Sequence, residues 1–348
     1  MTVFFKSPYN LEIIDSEIPK INVDEVLIRV IYAGLCGTDI AIYSNKAAFE
    51  IDYPIICGHE WSGIVEKIGK NVKCLKIGDR VVGECGVSCG NCIECLSGNY
   101  LYCKNLKSVG TSKLIWDGAF REYTIMPERH LYKIPESVTF LDACLAEPGV
   151  IALSSIEKVG VNIGDTVVVS GAGIIGMLCA KYAKLRGAGI IILIGRNDRK
   201  LKIAKETGAD FIINIKNENM FEKIEKITNG KEINLSIEAS GNIQALKNIL
   251  KVTDRFGKVS IPGSYSKPLK ELDLGNLGSK DLTIRVIGCS GGNDFNKILW
   301  LMNLKKIVVE KLITEIFDLD DIEEAIKLHL SPNNSIKTII RIDKNFKE

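Results

Sequence analysis

The feature that most constrains the fold is a glycine-rich turn between an apolar run and a helix-like segment. Thr166–Ser170 (TVVVS) leads directly into Gly171–Gly176 (GAGIIG). In a dinucleotide fingerprint the first glycine allows a tight turn, the second lets a pyrophosphate approach the backbone, and the third lets helix and strand pack closely. The helix N-terminus then presents free N–H groups to the phosphates. Against the alternative of a glycine-rich turn without a ligand, the fingerprint predicts cofactor contacts from Gly171, Gly173, Ile174, Ile175 and Gly176.

Strands and helices alternate after about residue 150, which indicates βαβ units and a parallel sheet. These segments are, in order, Thr166–Ser170, Gly176–Arg186, Ile190–Ile194, Lys200–Thr207 and Phe211–Asn214. Residues 1 to about 145 instead contain short strand-like runs broken by Gly, Asp and Pro, which predicts a β-rich irregular domain. A chain of 348 residues is long enough for two domains. We expect a doubly wound α/β domain over 149–288 and a second domain formed by 1–148 and 289–348.

The end of the second predicted strand bears on which nicotinamide cofactor would bind. NAD-binding domains of this kind place an Asp or Glu there, about 20 residues after the fingerprint, to hold the ribose hydroxyls. Here the strand ends in Gly195-Arg196-Asn197, so no carboxylate would repel a 2′-phosphate. Arg196 could pair with that phosphate in a charge-assisted fork, which favours NADP(H) over NAD(H) unless Arg196 is only a solvated surface charge. The further predicted cofactor contacts are Gly195, Arg196, Asn197, Lys200 and Gly263.

Composition argues against several classes of protein. A net charge of +2 with 25% charged residues provides no basic field for nucleic acid and no acidic tail. The first ten residues lack a signal-peptide pattern, and no apolar run is long enough to span a bilayer, so we expect a cytoplasmic protein without a membrane partner. Eleven cysteines exceed background, and an odd number in a chain of this length does not suit a secreted disulfide scaffold. Clustered cysteines therefore indicate metal binding.

Four cysteines lie within fifteen residues and form the pattern C-x2-C-x2-C-x7-C. Four thiolates so close together suit a tetrahedral zinc held entirely by protein ligands. A nucleic-acid-binding ribbon would use two separated CxxC pairs, and an iron–sulfur cluster is the other alternative. The predicted ligands of this zinc are Cys89, Cys92, Cys95 and Cys103, while Cys85 is interpreted as a thiol without a role.

A second, open metal site is predicted from candidate ligands that are dispersed along the first domain. Catalytic zinc takes three protein ligands and leaves one position for substrate or water. The candidates are Cys36, the adjacent pair His59 and Glu60, and Glu147. The alternatives are a core histidine for His59 and a carboxylate at a helix N-terminus for Glu147.

Taken in order, these segments resemble the zinc-containing medium-chain dehydrogenases, a family with alcohol, sorbitol, threonine and galactitol-phosphate dehydrogenases. The matching segments cover nearly the whole chain: Cys36–Asp39 (CGTD), Gly58–Gly63 (GHEWSG), Gly78–Val81 (GDRV), the cysteine loop, Asp117–Tyr123 (DGAFREY), Glu147-Pro148 and the GAGIIG turn. The resemblance implies a GroES-like catalytic domain beside a Rossmann domain, with two zinc ions per chain. It implies that Cys36, His59 and Glu147 ligate the catalytic zinc, that Glu60 is close enough to bind or exchange, and that the cysteine loop is a structural zinc lobe.

The resemblance also implies the chemistry. Zinc acts as a Lewis acid on the substrate oxygen, and hydride passes between the carbinol carbon and the nicotinamide. Thr38 is placed to accept the alcohol proton, and Asp39 to orient a neighbouring group. Two departures stand out: Ala41 occupies the position of a relay histidine found in many relatives, and Gly288–Asn293 is glycine-rich where sorbitol dehydrogenases carry an Arg-Tyr pair.

The expected function is therefore zinc-dependent oxidoreduction of a secondary alcohol, such as a polyol or sugar alcohol, with NADP(H). One alternative is an NAD-dependent dehydrogenase of a sugar phosphate or an amino cyclitol. An alternative from another class is a catalytically weak nucleotide-binding protein of the same fold, which the missing relay histidine would support. The family resemblance implies a homodimer or homotetramer.

Overall fold

The computed structural model describes residues 1–112, 114–265, 268–288 and 291–347. The chain forms two compact units, one from Met1–Glu147 and Gly291–Glu348, the other from Pro148–Ser290. No helix within the described ranges is long and apolar enough to cross a membrane.

The first unit is rich in short strands, as the sequence predicts. Its strands are Thr2–Ser7 (β1), Asn10–Ile14 (β2), Glu25–Leu35 (β3), Glu60–Ile68 (β4), Arg80–Gly83 (β5), Gly86–Val87 (β6), Lys107–Val109 (β7), Ile115–Trp116 (β8), Tyr123–Pro127 (β9), Leu131–Lys133 (β10), Ile313–Asp318 (β17) and Lys337–Arg341 (β18). Its helices are Gly37–Tyr43 (α1), Ile93–Leu96 (α2), Phe140–Ala143 (α3), Asn293–Asn303 (α10) and Ile322–His329 (α11), with 3-10 turns at Tyr100–Tyr102, Glu128–His130, Glu310–Leu312 and Leu319–Asp321. Helix α10 has 11 residues.

A seven-stranded sheet organises this unit, in the order β10-β5-β4-β3-β18-β17 with β9 also paired to β3. Strand β3 lies antiparallel to both β4 and β18. Apolar side chains of β3 and β4, among them Val30, Val65 and Trp61, are buried in the core of the unit. The ends of the central strands are therefore held rigidly, and the first candidate site lies at one such end.

The second unit is a six-stranded parallel sheet with helices between its strands. The strands are Thr166–Ser170 (β11), Ile190–Gly195 (β12), Phe211–Asn214 (β13), Leu235–Glu238 (β14), Lys258–Ile261 (β15) and Thr283–Val286 (β16). The helices are Ala146–Glu157 (α4), which contains the passage from the first unit, Ile174–Leu185 (α5), Asp198–Thr207 (α6), Met220–Thr228 (α7), Ile243–Val252 (α8) and Leu274–Lys280 (α9).

The strand order β13-β12-β11-β14-β15-β16 is that of a doubly wound dinucleotide-binding sheet, which confirms the predicted fold class. The order reverses between β11 and β14, and ligands of such sheets bind in the crevice beyond the carboxyl ends of the strands at that point.

Candidate functional site

Three predicted metal ligands converge in the first unit. One ligand atom from each of Cys36, His59 and Glu60 lies within 4.8 Å of the others. Cys36 is the N-cap of α1, directly after β3, and Glu60 is the first residue of β4. Gly34 of β3 lies opposite Glu60 of β4, so the last residues of β3 and the first residues of β4 lie side by side at one end of these strands. A thiol, an imidazole and a carboxylate at this separation match the donor set and size of a zinc site.

Asp39 ties the two ligand-bearing loops together. Its carboxylate accepts hydrogen bonds from the Cys36 N–H at 2.8 Å and from the Gly58 N–H at 3.4 Å. His59 Nδ1 lies 4.0 Å from Asp39 Oδ1. Burial raises the pKa of Asp39. Burial opposes the charged form of His59, but the negative charges of Cys36 and Asp39 raise the pKa of His59 well above its usual range. Negative charge therefore accumulates around the imidazole, which suits a bound cation.

Lys337 is a site residue that pattern analysis missed. It lies on β18, is 2% exposed, and forms an ion pair with the Glu60 carboxylate, which is equally buried. Its Nζ also donates to the carbonyl of Leu35 at 2.9 Å. Gly34 leaves room for this pair, since a Cβ there would overlap the Glu60 carboxylate and lie 2.9 Å from Lys337 Cε. The signal in the sequence is a lysine inside an otherwise strand-like segment. If that strand is buried, the lysine needs a partner, because buried lysines almost always have one.

Glu147 lies near this group without belonging to it. Among the described residues, it is not part of the set whose ligand atoms fall within 4.8 Å of one another. It is buried, and burial raises the pKa of Glu147 to about 7, with His59 acting to lower it and Glu60 to raise it. The Cys85 side chain hydrogen-bonds Glu147, and Cys85 is not part of the four-cysteine cluster. The Thr38 hydroxyl lies 3.7 Å from the sulfur of Cys36.

The four clustered cysteines also converge. Their sulfur–sulfur distances are 3.3 Å for Cys92 and Cys95, 3.5 Å for Cys89 and Cys103, and 3.9 Å for Cys89 and Cys95. Four sulfurs placed tetrahedrally at a Zn–S distance of about 2.3 Å would be about 3.8 Å apart. The Asn91 N–H, which donates to the sulfur, lowers the pKa of Cys89 to about 6. The thiols thus already have close to the spacing that zinc requires.

The second unit contains a cleft of about 570 Å³ at the predicted end of the sheet. Its lining includes the predicted residues Gly171, Gly173, Gly195, Arg196, Asn197 and Lys200. Among the described residues, Ile174, Ile175, Gly176 and Gly263 are not part of the lining. Gly171 has φ +117°, and a Cβ on Gly176 would overlap the Gly171 carbonyl oxygen, so the turn requires glycine at both positions.

The cleft edge beside β12 is cationic. Arg196 is exposed and Lys200 is half-buried, and burial lowers the pKa of Lys200. The Asn197 side chain caps helix α6 by accepting the Lys200 N–H at 3.1 Å. A Cβ on Gly195 would lie 2.8 Å from the Ala172 Cβ, so close packing also explains why glycine occupies this position.

Glu238 shapes the opposite wall of the cleft and was also missed. It ends β14, is fully buried, and accepts hydrogen bonds from the N–H groups of Ser240 at 2.9 Å and Gly241 at 3.0 Å. The Tyr265 hydroxyl donates to the same carboxylate. Gly263 packs against this residue, its N–H donating to the Glu238 carbonyl at 3.1 Å. The carboxylate therefore fixes the turn after β14 that borders the cleft.

Comparison with known proteins explains this combination of sites. Residues 22–136 match the alcohol dehydrogenase GroES-like domain, and residues 175–303 match the zinc-binding dehydrogenase domain. Sorbitol dehydrogenase from Bacillus subtilis (strain 168) is 31% identical over 326 residues, which span 93% of this chain and 92% of that protein. The chain belongs to the zinc-containing medium-chain dehydrogenases. It is thus a zinc-type oxidoreductase, and the resemblance seen in its motifs is confirmed.

Two solved relatives of this dehydrogenase contain different cofactors. An alcohol dehydrogenase (rspB) from Escherichia coli CFT073, complexed with NADH, is 31% identical with a TM-score of 0.89, and the match covers 98% of both chains. A zinc-binding dehydrogenase from Sinorhizobium meliloti 1021, bound to NADP, is 25% identical with the same TM-score and coverage. A nicotinamide cofactor is common to both, but the choice between NAD and NADP varies among similar structures.

Proposed function

We propose that this dehydrogenase transfers a hydride between a secondary alcohol of the polyol class and NADP(H), with one zinc in the active site. The observation that carries the proposal is the convergence of Cys36, His59 and Glu60 at one edge of the first sheet. Cys36 and His59 would hold the metal, with Glu60 or Glu147 as the third ligand. A second zinc would occupy the four-cysteine lobe, where the sulfur spacing supports tetrahedral binding.

When bound, zinc would supply Lewis acidity at the substrate oxygen, and the nicotinamide would accept or donate the hydride. The chain's own residues prepare the site. Asp39 holds the loops of Cys36 and His59 in register through the hydrogen bonds of its carboxylate. The Thr38 hydroxyl, beside Cys36, would accept the alcohol proton and pass it to water, because Ala41 replaces the relay histidine.

We infer a preference for NADP(H) from the cationic edge of the cleft. Arg196 and Lys200 line it, and the strand that precedes them ends in glycine rather than a carboxylate. The test compares Arg196→Ala with Arg199→Ala, a loss of the same charge from an exposed residue outside the lining. A charge-assisted contact corresponds to roughly 10- to 150-fold in affinity, so Arg196→Ala should raise KM for NADP⁺ by that factor and KM for NAD⁺ far less. Equal effects on both cofactors would exclude a phosphate contact.

The NADH complex of a 31% identical relative favours NAD(H) as the alternative cofactor. The alternative function is then an NAD-dependent dehydrogenase of a sugar phosphate or an amino cyclitol. A panel of polyols, sugar phosphates, amino cyclitols and ketoses, tested with both cofactors, separates these possibilities. His59→Ala should abolish turnover with the best substrate. Unchanged turnover in that variant would remove His59 from the active site, and no turnover of any substrate by the wild type would favour a nucleotide-binding role.

We also propose that the chain is a homo-oligomer. In the described part of the second sheet, β16 is one of the two edge strands, and all four of its residues are exposed, with Val286 at 70%. Two copies of such an exposed edge can pair about a two-fold axis, because an unpaired strand edge is complementary to itself.

A further inference from the structure

A buried carboxylate outside the proposed ligand set connects several parts of the first unit. Glu84 follows β5 and is 1% exposed. The Tyr100 hydroxyl donates to its two oxygens at 2.9 and 2.8 Å, and the Tyr132 hydroxyl donates to one of them. The N–H of Gly292, the N-cap of α10, also donates to it at 3.2 Å. Three elements that are distant in sequence therefore share one acceptor.

One contact of Glu84 comes from the four-cysteine lobe itself, and a second residue, His130, connects Glu84 to the start of that lobe. Tyr100 lies in the 3-10 turn between Cys95 and Cys103. His130 Nδ1 lies 3.5 Å from Glu84, and His130 Nε2 accepts the N–H of Ser88, the residue before Cys89, at 3.0 Å. Because Nε2 accepts, a neutral ring carries its proton on Nδ1, the nitrogen nearer to Glu84.

Glu84 also contacts Gly291 and Gly292, and the residue that follows it in the chain reaches a candidate metal ligand. Gly291 packs so closely that a Cβ there would lie 2.7 Å from the Tyr100 hydroxyl. The next residue in the chain, Cys85, hydrogen-bonds Glu147. A buried carboxylate is stable only in the few arrangements that keep its hydrogen-bond donors in place. Loss of one donor is costly, because it leaves a buried polar group unpaired. Elements that donate to the same carboxylate therefore move together.

We propose that Glu84 is a positioning residue that links the four-cysteine lobe to Gly291–Gly292 and, through Cys85, to Glu147. An ordered lobe holds Tyr100 against Glu84, and Glu84 then holds the N-terminus of α10 and the Cys85–Glu147 contact. Loss of the lobe's metal withdraws Tyr100 and loosens both. The inference rests on the proposed function in two respects, that the lobe binds zinc and that Glu147 serves the active site.

The test is hydrogen exchange in the peptide that covers residues 291–303, measured for the purified full-length protein. The variants are Tyr100→Phe, Glu84→Gln and the lobe variant Cys95→Ser. The matched control is Tyr102→Phe, which removes the same oxygen from the same turn at a residue that is 75% exposed. A lost hydrogen bond to a charged group should accelerate exchange about 10-fold or more in Tyr100→Phe, Glu84→Gln and Cys95→Ser. Tyr102→Phe should match the wild type.

Coupling distinguishes positioning from a general loss of stability. If Tyr100 is the link, adding Cys95→Ser to Tyr100→Phe should cause no further acceleration in residues 291–303, and exchange in β11 should stay unchanged throughout. Wild-type exchange rates in Tyr100→Phe and Glu84→Gln, or additive effects of Cys95→Ser and Tyr100→Phe, would overturn the proposal. Glu84→Gln alters no residue of the lobe, so it decides the matter even if Tyr100→Phe disrupts the lobe.

A second readout follows zinc itself. Release of zinc to a chelator is measured for the wild type and Glu84→Gln, and His59→Ala identifies the phase that belongs to the lobe. Loss of a direct outer partner of a metal ligand typically costs about 10- to 100-fold in affinity, and Glu84 acts on Glu147 one residue further away, through Cys85. Glu84→Gln should therefore release the active-site zinc faster than the wild type, by up to about that factor. Unchanged release would remove Glu147 from the proposed link. A wild type containing no zinc would instead refute the proposed function, while the exchange measurement on Tyr100→Phe and Glu84→Gln would still test the contacts of Glu84.

Discussion

Replacing Lys337 with methionine tests the electrostatics behind the proposed metal site most directly. Lys337 and Glu60 are each 2% exposed, and the lysine neutralises the Glu60 carboxylate. Burial acts to lower the pKa of Lys337, but the charges of Glu60 and Cys36 raise it overall, so the lysine stays charged at neutral pH. Methionine has a similar volume and removes only the charge and its donors.

The expected cost follows from what remains behind. Removal of one partner from a buried pair destabilises a protein by about 3–5 kcal/mol, because the other charge stays buried without compensation. Lys337→Met should lower the free energy of unfolding of the zinc-free protein by that amount. The double variant Glu60→Gln/Lys337→Met removes both charges, so it should recover at least about 2 kcal/mol of the loss.

The assay is urea unfolding followed by tryptophan fluorescence after zinc has been removed. All three tryptophans, Trp61, Trp116 and Trp300, belong to the first unit, so the signal reports the unit that contains the pair. A loss below about 1 kcal/mol in Lys337→Met would refute the reasoning, as would strictly additive effects in the double variant.

Three further predictions concern the metals, the assembly and the cofactor turn. Metal analysis should find about two zinc ions per wild-type chain and about one in either Cys95→Ser or His59→Ala; one ion in the wild type would remove one of the two sites. Val286→Lys should halve the particle mass measured by light scattering, whereas an unchanged mass would exclude the β16 edge as an interface. Gly176→Ala, whose Cβ would overlap the Gly171 carbonyl oxygen, should raise KM for both NADP⁺ and NAD⁺ by roughly 10-fold or more; a wild-type KM would show that the turn tolerates the methyl group.

Local patterns predicted the second unit well, because each signal lay within a few residues. The segments Thr166–Ser170 and Phe211–Asn214 form strands with the predicted bounds, and the glycine turn lies between a strand and a helix as expected. The cysteine cluster could also be predicted from the sequence, since its four thiols lie within fifteen residues and converge in the structure. In each case a short stretch of chain contains the whole arrangement.

Lys337 and Glu84 are single buried charges whose partners are distant in sequence. Lys337 pairs with Glu60, 277 positions earlier, and Glu84 accepts from Gly292, 208 positions later. In the sequence, each of these charged residues looks like a solvent-exposed residue within a strand-like segment. Its burial becomes visible only in the fold, where β18 pairs with β3 and the N-terminus of α10 packs against Glu84. Their physical signal is burial, and burial is a property of the assembled fold rather than of any window of sequence.

The packing around Gly195 bears on the cofactor preference. Glycine at position 195 first indicated NADP(H) because it is not the acid that holds a ribose. In the structure, a Cβ there would lie 2.8 Å from the Ala172 Cβ, so packing alone accounts for the glycine. The missing carboxylate is therefore weak support by itself, and the positive support comes from the Arg196 and Lys200 cations on the cleft lining. A preference for NADP(H) thus depends on what those two side chains contact, which is why Arg196→Ala, and not a substitution at Gly195, is the decisive variant.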